Sequence, residues 1–208
     1  IDETFIEESG IEGDIILPVN EISEEDFFKI IKLVSPTLAN DEKIQEAINF
    51  IRGLDLKPRR DGISVIEGHL LPTALNAVIL ASASSKHWDS NDSVRYLRDK
   101  ALESIFHDVI EDTKGRKAKQ EKRDYIKSEY GSKIASVVGS LTSPAHIMDT
   151  EFRRKMYARQ VADDPEALLV KPSDRMQNIM ADIIRLLTTS PPPEEIKKIS
   201  DYEVKTAT

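Results

Sequence analysis

The 208-residue chain contains no cysteine, which excludes disulfide cross-links, thiolate-held zinc and a cysteine nucleophile. Glycine is scarce, with 8 residues, and aromatics make up only 6%, while Ala, Leu, Ile, Glu and Lys are frequent. This balance favours helices over a sheet. A membrane span needs about 20 consecutive apolar residues, and the longest apolar stretch, residues 77–81 with their small neighbours, falls far short of that. Residues 1–4 have neither the basic nor the apolar region of a secretory signal. The expectation is a soluble, cytoplasmic protein with no membrane partner. Its length suits one domain with a sizeable core, or two very small ones. With 29 Lys+Arg against 37 Asp+Glu, the formal charge is -8. That balance argues against a nucleic-acid partner, because backbone binders concentrate positive charge to release counterions.

The charge is unevenly spread. Residues 1–22 hold seven acids (Asp2, Glu3, Glu7, Glu8, Glu12, Asp14, Glu21) and no base, so the remaining 186 positions are close to neutral. The chain therefore divides into an acidic segment, 1–22, and a domain, 23–204. Three stretches of the domain are basic: Lys57 with Arg59 and Arg60; Lys114 to Lys127; and Arg153, Arg154, Lys155 and Arg159. Each reads either as a solvated face or as a receiving surface for a small anion.

Apolar spacing lays out the helices. Ser23 caps a helix with Phe27, Ile30, Ile31 and Val34 on its stripe, ending before Pro36, and Asp41 caps a second with Ile44, Ala47, Ile48 and Ile51, closed by Gly53. Residues 57–68 read as an ordered loop. Pro72 suits the first turn of a helix with Leu71, Leu75 and Val78, which places His69 just before its start. The longest clear period runs from Val94 through Ile110 and closes near Thr113. Further helices follow around Tyr125–Tyr130, Ile134–Leu141, Asp149 onward, 167–190 and 194–204. With no repeat and no strand alternation, the fold expectation is an all-α domain of about eight to nine helices.

The chemistry concentrates in Ile105-Phe106-His107-Asp108-Val109-Ile110-Glu111-Asp112-Thr113. On a continuous helix His107 shares a face with Glu111, and Asp108 with Asp112. Three carboxylates within one turn repel each other unless a cation offsets them, which points to a metal site; the alternative is a surface helix end with a buried, hydrogen-bonded His. Downstream, Lys171-Pro172-Ser173-Asp174-Arg175-Met176-Gln177-Asn178 places Asp174 and Asn178 on one face. Asp174 reads alone as an N-cap, and beside the first cluster as a further ligand.

These segments carry a resemblance. His107-Asp108 resembles the doublet of the HD-domain metal-dependent phosphohydrolases, and His107 to Thr113 resembles the HDxxED motif of the RelA/SpoT-type (p)ppGpp hydrolases. In the same order, Arg59-Arg60-Asp61-Gly62 with His69 resembles that family's basic loop and first histidine. Tyr130 to Thr142 resembles its FG..VA.LV...T segment, Arg154-Lys155-Met156 its RKM, and Lys171 to Asn178 its KLADRLHN. The likeness spans about residues 42–200. The chain departs from the pattern where Leu70 and Leu71 separate His69 from Pro72, where a polar stretch around His87-Trp88 lengthens the interval to His107, and where Pro172-Ser173 and Gln177 replace Leu-Ala and His.

The resemblance implies an HD-type helical domain with metal ligands His69, His107, Asp108 and Asp174, with His87 as the alternative first ligand. It implies Mn2+ as the ion, other divalent transition metals being admitted by the same donors. It implies Glu111 and Asp112 as the catalytic pair acting on water, with Arg59, Arg60, Lys171 and Asn178 binding substrate. The implied reaction is hydrolysis of the 3'-pyrophosphate of ppGpp or pppGpp to GDP or GTP and pyrophosphate, by a lone hydrolase without the synthetase domain of long family members. Hydrolysis of another phosphorylated nucleotide, nucleotide binding through an inactive site, and a purely structural helical module are the competing expectations. The oligomeric state is left open.

Overall fold

Ser23 accepts a hydrogen bond from the Asp26 N–H at 3.1 Å and so opens α1 (Glu24–Val34), whose first turn carries Glu24, Glu25 and Asp26 against the positive end of the helix. The structure, a computed structural model, describes residues 21–56, 63–84, 90–144, 146–189, 192–194 and 196–197. Among these there are helices and no strands, in a single domain. A 3-10 turn (Leu38–Asn40) leads to α2 (Glu42–Arg52), capped by Asp41 and closed at Gly53. Then follow α3 (Leu71–Ser84), α4 (Asn91–Phe106), the single turn α5 (Val109–Asp112), α6 (Arg116–Tyr130), α7 (Ser132–Leu141), α8 (Thr150–Ala162) and α9 (Ala167–Thr189). Gly115 and Gly131 bracket α6 at φ 87° and 97°, a left-handed region that glycine enters without a Cβ penalty.

α3 is the axis of the fold. Residues 71–78 are all buried, and α1, α4 and α9 pack around the helix. Phe27 and Ile31 of α1, Ile44, Ile48 and Ile51 of α2, and Leu97, Leu102, Ile105 and Phe106 of α4 complete the main core with Ile126 and Ile134. A smaller core joins Val137 and Leu141 of α7 to Val161, Ala167 and Val170. Ile22 is also buried, its N–H donating to the Glu67 carbonyl at 3.0 Å.

Residues 66–83, with a mean hydropathy of 1.2, are long and apolar enough to pass for a span, contrary to the expectation from composition. Because 72% of that window is buried inside the domain, it serves as a core helix.

Three expectations of local structure need correction. Residues 65–68 are helical and not loop: a π turn (Ile66–Leu70) runs directly into α3, with the Leu71 N–H reaching back five residues to the Ile66 carbonyl. Pro72 therefore sits inside a continuous helical run. It lacks an N–H and its ring crowds the carbonyl four residues back, and the wider π turn relieves both problems. The long helix through residue 113 is broken at His107-Asp108, where Asp108 takes φ -93°, ψ -12° in the bridge region. The longest helix is α9, which continues through Pro172, so Asp174 lies inside it and is not an N-cap. Residues 198–204, most of the expected last helix, lie outside the described residues.

Candidate metal centre

Three helical segments each deliver part of one cluster. The π turn supplies His69, the α4–α5 break supplies His107 and Asp108, and the second turn of α9 supplies Asp174. Neighbouring residues on an ideal helix diverge by about 100°, which would send His107 and Asp108 apart. The break allows both to converge, with His107 Nε2 3.2 Å from Asp108 Oδ2. His69 Nε2 lies 3.1 Å from His107 Nε2, 3.2 Å from Asp108 Oδ2 and 3.3 Å from Asp174 Oδ1, and His107 Nε2 lies 3.5 Å from the same Asp174 oxygen. Both imidazoles and Asp174 are buried, while Asp108 is partly open.

The arrangement fits a divalent cation on two counts. Donors about 2.1 Å from an ion sit about 3.0 Å apart in cis octahedral positions and about 3.4 Å apart in a tetrahedron, and the five contacts span 3.1 to 3.5 Å. Furthermore, His107 Nδ1 lies 2.6 Å from the Ser104 carbonyl, so it carries the proton and donates to that oxygen. In the neutral ring this leaves the Nε2 lone pair facing the cluster, the usual outer-shell device for a metal-ligating histidine. His69, His107 and Asp108 form a group able to hold a metal ion, and Asp174 stands within 3.5 Å of both imidazoles.

Electrostatics describe the same imbalance. Burial disfavours a charged His107, but the Asp108 and Asp174 carboxylates outweigh it and hold its pKa well above the usual imidazole value. Burial likewise opposes the charges of Asp108 and Asp174, and the imidazoles outweigh it, keeping both carboxyls well below the usual range. Lys171 Nζ donates to Asp174 Oδ2 at 2.5 Å and Asn178 Nδ2 to Oδ1 at 2.8 Å. The ammonium of Lys171 also lies 5.3 Å over the Tyr157 ring of α8. Two residues expected to face substrate are thus brought onto the Asp174 carboxylate.

Glu111 and Asp112 occupy the single turn of α5 and are exposed. Glu111 Oε2 accepts from the Ser143 N–H at 3.1 Å, which ties α5 to the segment after α7. Burial, followed by the charges of Asp108 and Glu111, raises the Asp112 pKa. Arg59, Arg60 and the alternative ligand His87 lie outside the described residues.

Sequence reasoning missed two supports of the site. Lys119 Nζ donates to the Glu111 carbonyl at 3.0 Å. Tyr157 donates to the Leu141 carbonyl at 2.7 Å, and Gln160 to the carbonyls of Gly139, Ser140 and Thr142, so α8 is held to the end of α7 through the carbonyls there. The basic run 114–127 was the one sequence signal for Lys119; nothing in the sequence marked Gln160. Comparison with protein-family models, curated proteins and solved structures finds no match to this chain.

Proposed function

We propose that the chain is a cytoplasmic, metal-dependent phosphohydrolase that cleaves the 3'-pyrophosphate of ppGpp or pppGpp, releasing GDP or GTP and pyrophosphate. The observation that carries the reading is the convergence of His69, His107, Asp108 and Asp174 with two further carboxylates, Glu111 and Asp112, on the adjoining turn. The choice of nucleotide rests on the resemblance of residues 107–113 and 171–178 to the RelA/SpoT-type hydrolases.

His69, His107, Asp108 and Asp174 would hold the ion, Mn2+ by the same resemblance. When bound, such an ion supplies Lewis acidity at a phosphate oxygen and lowers the pKa of water. Asp112, whose pKa is raised by burial and by the neighbouring carboxylates, accepts the proton of the attacking water, and Glu111, anchored through Ser143, orients it. Lys171 and Asn178 fix the Asp174 carboxylate, so their first role is to position a ligand.

The test is pyrophosphate release from ppGpp by Mn2+-loaded protein. Release that falls about 10²- to 10⁴-fold in Glu111→Gln, Asp112→Asn protein is expected; Mn2+ binding without release from ppGpp would overturn the reading. Hydrolysis of a different phosphorylated nucleotide is the second reading, favoured by fully buried Gln177 at the position where the resembled motif has His. A nucleotide panel separates the two.

A further inference from the structure

Sorting the bases of α6 by what they touch leaves a pattern. Lys117 pairs with Glu121 at 3.9 Å, and Lys122 lies 5.1 Å over the Phe50 ring. Arg116, Lys119 and Arg123 are spaced i, i+3, i+7 and share one face, and none of them has a carboxylate partner among the described residues. Lys29 and Lys155 show the alternative, each pairing with an acid one turn away, while Lys127 sits in the last turn of α6, against the helix's negative end. A row of unpaired like charges destabilises its helix unless an anion offsets it. Lys119 stands out within the row. It is half-buried while Arg116 and Arg123 are exposed, and its ammonium reaches back eight residues to the carbonyl of Glu111.

We propose that Arg116, Lys119 and Arg123 form the receiving surface for a multiply phosphorylated substrate, with Lys119 binding a phosphate group beside Glu111. The proposal rests on the phosphohydrolase reading and extends it to how substrate is recognised. A polyanion approaching the site meets carboxylates at Asp108, Glu111 and Asp112, so it needs positive charge from outside the ligand cluster. Lys171 is committed to Asp174 at 2.5 Å. Lys119 brings that charge against the α5 turn at Glu111, Arg116 and Arg123 extend it along the same face of α6, and their field favours encounter with a polyanion over a neutral nucleoside.

The experiment uses the full chain loaded with Mn2+ and inorganic pyrophosphate as probe, with binding followed by calorimetry. Lys119→Gln is expected to weaken pyrophosphate binding about tenfold and to raise KM for ppGpp by a similar factor, with a smaller change in kcat. Lys119→Arg should restore most of the affinity. Paired Arg116→Gln, Arg123→Gln protein should lose affinity and show a shallower salt dependence. Lys117→Gln, on the other face, and Mn2+ affinity in every variant should be unchanged. Equal pyrophosphate affinity and KM in Lys119→Gln and Lys117→Gln would overturn the proposal while ppGpp turnover by the wild type stood. No pyrophosphate binding by Mn2+-loaded wild type would also overturn it. Pyrophosphate binding lost in Lys119→Gln but without turnover of ppGpp by the wild type would support this surface and sink the hydrolase reading alone.

Discussion

Two polar clusters lie along α4, one turn apart, and they solve the burial of charge in opposite ways. Around Lys100 the charges cancel. Its ammonium bonds Glu103 and lies 2.5 Å from Glu166 Oε2, Lys133 reaches Glu166 at 2.8 Å and Asp99 at 3.9 Å, and Arg98 reaches Asp99 at 3.6 Å. Three bases meet three acids, and α4 is joined to α7 and to the start of α9. Around His107 the charges do not cancel. Asp108 and Asp174 face two imidazoles, Glu111 and Asp112 stand on the adjoining turn, and among the described residues Lys171 is the ammonium bonded to one of these carboxylates. A balanced cluster can serve the fold alone, whereas a cluster with surplus carboxylates and converging lone pairs is one that a cation would complete.

The sharpest way to break the contrast is to unbalance the first cluster. Lys100→Met should destabilise the protein by about 3–5 kcal/mol in urea unfolding, because the buried Glu103 carboxyl and Glu166 lose the ammonium that bonds them. Adding Glu103→Leu should recover much of that loss. The same logic runs the other way at the second cluster. Asp108→Ala should weaken Mn2+ binding at least about 100-fold while leaving metal-free stability nearly unchanged, because a surplus charge has been removed. In a thermal scan, Mn2+ should raise the Tm of the wild type and not that of Asp108→Ala.

A third effect concerns pH. Burial pushes the Glu103 carboxyl up to about 7 from its ordinary 4.5, with Lys100 pulling against it. The folded state therefore holds this proton more tightly than the unfolded chain. The corresponding stability is present below about pH 4.5 and is lost as pH rises through about 7, by roughly 3 kcal/mol. Unfolding in chelator between pH 4.5 and 7.5 should show a steeper decline for the wild type than for Glu103→Gln; parallel curves would remove Glu103 as the cause. The smallest effect expected is for Tyr157→Phe, which loses the 2.7 Å bond to the Leu141 carbonyl and about 1 kcal/mol of stability.

Much of the fold was legible because its signals are local. Ser23 and Asp41 cap where a short polar side chain precedes an apolar period, and Ile44, Ala47, Ile48 and Ile51 form one buried stripe. Legibility failed where a tertiary demand overrode the period. The stripe from Leu97 through Ile110 has unbroken helical spacing and all of these residues are buried, yet the backbone between them interrupts at His107-Asp108. Apolar spacing reports which residues face the core and is silent about a break that keeps them there. Pro72 and Pro172 misled in the opposite sense. A proline usually marks a helix start, and here both lie inside helical runs stabilised by packing between α3 and α9. Reading Asp174 as a cap followed from that assumption.

The sequence by itself determined the class of structure, since scarce glycine and repeated 3.6-residue stripes leave helices as the way to bury the apolar residues. It also determined the donor types: without cysteine, a metal here is held by imidazole and carboxylate. Only the tertiary structure decided that His69, 38 positions before His107, stands 3.1 Å from it, and that Asp174 from a third helix joins them. It likewise picked Lys119 out of a basic run as the ammonium that reaches the single turn of α5, at the Glu111 carbonyl. The physical reason is range. Caps, stripes and donor chemistry act within a few residues along the chain, while a cluster built from three segments depends on how α3, α4 and α9 pack.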